Sequence, residues 1–139
     1  MPKPSDPKRA QPIGVDLAND ASLRVFSGHE IVFESRGKWL HPLFELEDFL
    51  KGSGLRPESL RIEDKIIGRA AAFLIVRMGF LKVYGRTMSR LAESVFQSKG
   101  VEYSFGELVE RIDCITESIL SDVEEVERAY DLVRVRAGR

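Results

Sequence analysis

Apolar residues fall on alternate positions at Leu23 and Val25, and again at Ile31 and Phe33, the period that sends successive side chains to opposite faces of a strand. Ser27-Gly28-His29 between them supplies turn chemistry, with Gly28 free to take positive φ, so this region reads as a β-hairpin. Leu43, Phe44, Leu46, Phe49 and Leu50 follow helical spacing and stop at Gly52-Ser53-Gly54. Leu55 to Ile62, which holds Pro57, reads as a connector. The next pattern predicts a helix from Asp64 to Met78, with Asp64 as N-cap or first-turn acid and Gly79 as its stop. Beyond Arg69 that helix is apolar nearly all round, the mark of a helix buried on most sides. Phe80 to Tyr84 reads as a short strand, Gly85 to Ser89 as a link, and Arg90 to Ser98 as a helix closed by Lys99-Gly100. Val101 to Phe105 gives another strand. From Glu107 to Val135, apolar residues at three- and four-residue steps (Ile112, Ile115, Ile119, Val123, Val126, Tyr130) predict one long helix.

Strand-helix-strand succession needs crossovers and so implies parallel neighbours, while the hairpin adds an antiparallel edge. The expected fold is a single-domain α/β protein: a mixed β-sheet with helices on both faces, opening with a β-hairpin. A chain of 139 residues suits one domain over residues 21–139. Residues 1–20 carry four of the six prolines and no apolar stretch of the kind a signal peptide needs, so they are expected to form a flexible tail. The longest apolar run, Ala70 to Val76, is far short of the roughly 20 residues that cross a bilayer, and a cytoplasmic protein is expected. A net charge of -1 gives no electrostatic reason to expect a nucleic-acid or membrane partner. The single cysteine, Cys114, excludes an intramolecular disulfide and a multi-cysteine metal cluster.

Common catalytic signatures are absent. The two histidines, His29 and His41, belong to no HExxH or HxH arrangement, and neither a Walker A sequence, GxGxxG nor GxSxG occurs. His29 is expected in a solvated turn, and His41, before Pro42, in a packing or capping role. Charge is nonetheless divided along the chain. Residues 61–90 carry a net +5, from Arg61, Lys65, Arg69, Arg77, Lys82, Arg86 and Arg90 against Glu63 and Asp64. Residues 107–128 carry a net -6. One reading is that these stretches solvate or pair, within the fold or between subunits. The other places Lys65 and Arg69 in the first turns of one helix and Arg86, Thr87 and Ser89 at the entry to the next. Unpaired amides, the positive end of the helix dipole and a guanidinium would together bind an anion such as phosphate. Cys114 and Glu117, three apart, would share one helix face, either packed in a core or forming a reactive thiol beside Arg111.

Leu23-Arg24-Val25-Phe26, Ile31-Val32-Phe33-Glu34-Ser35, Asp64-Lys65-Ile66-Ile67-Gly68-Arg69-Ala70-Ala71-Ala72 and Val83-Tyr84-Gly85 resemble the uncharacterised DUF1893 proteins over about residues 21 to 111. The resemblance implies a cytidine deaminase-like fold. It fades where the family carries a longer polar loop before Cys-x-x-Glu; Cys114-Ile115-Thr116-Glu117 would be its shortened remnant. Zinc deaminases place H-x-E or C-x-E at the start of one central helix and P-C-x-x-C at the start of the next. The matching positions, read as Gly68-Arg69-Ala70-Ala71 and Gly85-Arg86-Thr87-Met88-Ser89, hold no His, Cys or Glu, so no metal and no zinc-dependent deamination is expected.

The leading expectation is a metal-free, cofactor-free binding domain. Lys65, Gly68, Arg69, Gly85, Arg86, Thr87 and Ser89 would line a cleft for a phosphate-bearing small molecule or nucleotide. The alternatives are a non-zinc enzyme with Cys114 as nucleophile and Glu117 or Asp64 as acid/base, and a structural homo-oligomer module joined through its charged faces.

Overall fold

The computed structural model describes residues 21–112, 117 and 119–139. The proline-rich tail and Cys114 lie outside them. Strands β1 (Leu23–Ser27) and β2 (Glu30–Ser35) form the expected hairpin, and Gly28 turns it at φ 62. Helix α1 (His41–Lys51) follows, then a single 3₁₀ turn (Pro57–Ser59) leads into β3 (Arg61–Ile67). Next come α2 (Arg69–Met78), β4 (Lys82–Ser89), α3 (Arg90–Lys99), β5 (Glu102–Val109) and α4 (Val126–Arg136).

The five strands lie in the order β2-β1-β3-β4-β5. β1 is antiparallel to both its neighbours, and β3, β4 and β5 run parallel through the crossover helices α2 and α3. Val25, Ile62, Val83 and Tyr103 stand side by side across four strands and are all buried. Helices α1, α3 and α4 pack around α2, whose Ala70 to Ile75 are buried, as the apolar run predicts. Burying each large side chain there contributes roughly 1.5–3 kcal/mol. Gly79 ends α2 at φ 104, a left-handed conformation a side chain would oppose.

Three expectations are corrected. Asp64 and Lys65 belong to β3, not to the start of a helix. Glu63-Asp64-Lys65 reads as helix-compatible, but this segment pairs with β1 on one side and β4 on the other, and that ladder outweighs local preference. Gly85 to Ser89 continues β4 instead of linking it to α3, because partners on both sides extend that far. Glu107 to Val135 is not one helix: Glu107 to Val109 complete β5, and α4 starts only at Val126. Leu120 and Val123 keep their apolar spacing and are buried, but from a turn and the stretch after it.

The divided charge has a local explanation. Arg77 binds Glu127 at 3.1 Å and Glu47 at 2.6 Å, Arg90 binds Glu110 at 2.7 Å, and Arg69 binds Glu124 at 3.0 Å. The basic middle and the acidic C-terminal stretch therefore pair within one chain. Among the described residues no helix is long and apolar enough to cross a membrane.

Candidate functional site

A cavity of about 470 Å³ opens where the end of β3 meets the start of β1, the link from β2 to α1, and the N-terminus of α2. Short polar ties hold these segments together. The Ser22 hydroxyl donates to the Gly37 carbonyl at 2.8 Å and to the Ser35 carbonyl at 3.2 Å, and the Lys65 amide donates to the Ser22 carbonyl at 3.0 Å. Leu40, Pro42, Ile66, Ala70, Ala71 and Ile112 supply apolar wall. Arg36, Lys38 and Lys65 bring three cations to it, and Trp39 an exposed indole. A cavity of this size and chemistry suits a small organic ligand.

Two carboxylates complete the lining. Glu117 is buried, and its Oε2 accepts the Arg69 amide at 2.6 Å while Oε1 accepts the Ile112 amide at 3.3 Å. It thus supplies the anion at the N-terminus of α2 that the helix dipole favours. Gly68 leaves room for it, since a Cβ there would stand 2.8 Å from Oε2. Asp64 is half-buried, yet the surrounding protein desolvates its carboxyl and pushes the pKa up to about 7, against a smaller lowering by the Ile66 and Lys65 amides. Among the described residues no group of three His, Cys, Asp or Glu is placed to hold a metal ion.

The residues expected to form one cleft are divided by the fold. Lys65 and Gly68 line the cavity; Arg69, Gly85, Arg86, Thr87 and Ser89 are not part of its lining. The Arg69 guanidinium is buried and donates to the carbonyls of Leu120, Leu91 and Val123, to the Ser94 hydroxyl and to Glu124. Gly85 is buried, and a Cβ there would come within 2.9 Å of Ile67 Cδ1. Arg86 is exposed and Thr87 half-buried, both in mid-strand. Ser89 is buried and caps α3, its hydroxyl accepting the Ala92 amide at 3.0 Å.

The helix entrances that share the cavity are therefore those of α1 and α2, while those of α2 and α3 are joined by the Arg69 guanidinium and leave no lining there. Arg36, Lys38 and Trp39 carry no periodic signal, because they stand in a short link between hairpin and helix. A tryptophan directly after two cations in a glycine-bearing link is the available signal. His29 lies in the hairpin turn, and His41 is the exposed first residue of α1, its ring edge-on to Trp39 at 5.5 Å between centroids.

Fold and cavity together define a single-domain mixed α/β protein with a ligand-sized recess beside its antiparallel strand. The chain belongs to the DUF1893 (TM1506) family, a domain of unknown function whose family model matches residues 16–136. The match extends past the residues that carried the resemblance, into the C-terminal helix. The structure is similar to the crystal structure of a DUF1893 family protein (TM1506) from Thermotoga maritima, with a TM-score of 0.75 and 23% identity over 86% of this chain and 82% of that one. At that identity the likeness carries the fold alone. No curated protein matches the chain.

Proposed function

We propose that this protein is a binding domain whose cavity between the α1 and α2 entrances takes a phosphate-bearing small molecule, nucleotides included. The observation that carries the reading is the grouping of Arg36, Lys38 and Lys65 on one apolar recess, none of them in an ion pair with a described residue. Cations without an ion pair to a described carboxylate, beside an apolar wall, suit a ligand with one anionic end and one apolar end. Hairpin, antiparallel β1 and two parallel crossovers support a deaminase-like arrangement, but the donors around the cavity do not fit zinc. Among the described residues its lining has no His and no Cys, and Glu117 is already bonded to two backbone amides.

Thermal melting in the presence of nucleoside monophosphates and inorganic phosphate tests the proposal. Stabilisation should grow with ligand concentration, to about 2.7 kcal/mol at a hundredfold excess over Kd. It should weaken in Lys65→Ala and Arg36→Ala, two substitutions at polar positions of the rim. If no anionic ligand moves the melting temperature, the reading fails.

A second reading, proton transfer to a bound ligand, is favoured by Asp64, which lines the cavity with a pKa of about 7. Ligand affinity should then depend on pH between about 6 and 8 beyond what the second ionisation of the phosphate, at about pH 6, supplies, and Asp64→Asn should abolish that excess. An excess that survives the substitution rules this out.

A further inference from the structure

Trp39 is the only tryptophan in the chain. It is also the only described residue other than glycine with a positive φ, at 58°. A bulky side chain resists that conformation, and such backbone outliers concentrate at functional positions. The residue gains no compensating burial: it is 45% exposed, and it lines the cavity. Its one ring partner among the described residues, His41, meets it at 73°, an edge contact that braces the indole. Strained backbone and forgone burial thus coincide on one aromatic ring at the cavity. The same recess carries Arg36, Lys38 and Lys65, and Ile66 adds an exposed apolar side chain.

We infer that Trp39 is a stacking platform, and that the ligand of this cavity is a flat heteroaromatic ring joined to an anionic group held by the cations. The inference rests on the cavity being a phosphate site and adds the class of ligand: ring-bearing phosphates in preference to ring-less ones. Every heteroaromatic base offers a π face to an indole, so stacking selects the ring without selecting which ring. The cations hold the anionic end whatever the ring is.

The test compares AMP and CMP with ribose 5-phosphate and inorganic phosphate by calorimetry. Tryptophan fluorescence adds a direct reading, because Trp39 alone supplies it. The nucleotides should quench that fluorescence and bind at least tenfold more tightly than ribose 5-phosphate. Trp39→Ala should remove the tenfold preference while leaving ribose 5-phosphate affinity within twofold. Trp39→Phe should keep most of the preference, which separates loss of stacking from loss of folding. Equal affinity for ringed and ring-less phosphates, or a preference that survives in Trp39→Ala, overturns the stacking role and leaves the phosphate site standing. Failure of every phosphate to bind overturns both.

Discussion

Arg69→Met should lower the stability of this protein by about 3–5 kcal/mol, a fall in Tm of roughly 10–20 °C for a domain of this size. Methionine fills much of the same volume, so the loss reports hydrogen bonds more than packing. The Arg69 guanidinium reaches the carbonyls of Leu120 and Val123 at 2.6 Å each and that of Leu91 at 3.0 Å. The Leu91 and Leu120 carbonyls keep other donors, the Ser94 hydroxyl at 2.8 Å and the Val123 amide at 3.0 Å; no other bond to the Val123 carbonyl is seen among the described residues. Stranding a buried acceptor costs its desolvation, and the charge-assisted bonds lost at the other two carbonyls add to that loss. The ion pair with Glu124 adds little, because that carboxylate is 76% exposed. Chemical denaturation measures the effect, and a loss below about 1 kcal/mol would show that the bonds are dispensable. Where the variant stays folded, it should still bind whatever ligand the wild type binds, since Arg69 is absent from the cavity lining.

Asp64→Asn should stabilise the protein at pH 8 by roughly 2–4 kcal/mol and leave it nearly unchanged at pH 4. The carboxyl has an ordinary value of 3.8 and is raised to about 7 in the fold, chiefly by desolvation. Between those values the folded protein holds a proton that the unfolded chain has released. Wild-type stability therefore falls as pH rises from about 4 to about 7 and then levels off. Asparagine carries no charge to desolvate and can still accept from the Ile66 and Lys65 amides, so its profile should be flatter through that window. The upper end of the range corresponds to the full pKa displacement; the surface that Asp64 retains favours the lower end. Denaturation at pH 4, 6 and 8 decides the matter. An identical difference between variant and wild type at all three pH values would mean that the fold does not shift the Asp64 pKa.

Both predictions concern residues that the sequence marks as functional for the wrong structural reason. Asp64 and Arg69 read as neighbours in the first turns of one helix, where a carboxylate caps and an arginine faces an anion. In the fold, Asp64 ends up in a strand bordering the cavity, and Arg69 starts the helix with its side chain turned into the protein. The anion at that helix entrance is Glu117, brought from 48 residues away. No local pattern could announce it, because that approach depends on how the chain returns after β5. Ser89, by contrast, acts within three residues of itself, and a serine before a helix is legible as a cap.

What the sequence by itself determined is everything governed by short-range periodicity: the hairpin, the limits of α1 and α3, the buried character of α2, and the parallel crossovers. Alternation and helical spacing follow from the geometry of the chain over a few residues. Only the tertiary structure decided that Arg61 to Ile67 and Gly85 to Ser89 are strand, since each takes that form from the ladders on both its sides. It also decided which two helix entrances share a cavity, and it turned the expected ligand arginine into an internal clasp. Those outcomes come from groups distant in the chain being brought within hydrogen-bonding reach, an arrangement set by the packing of the whole domain.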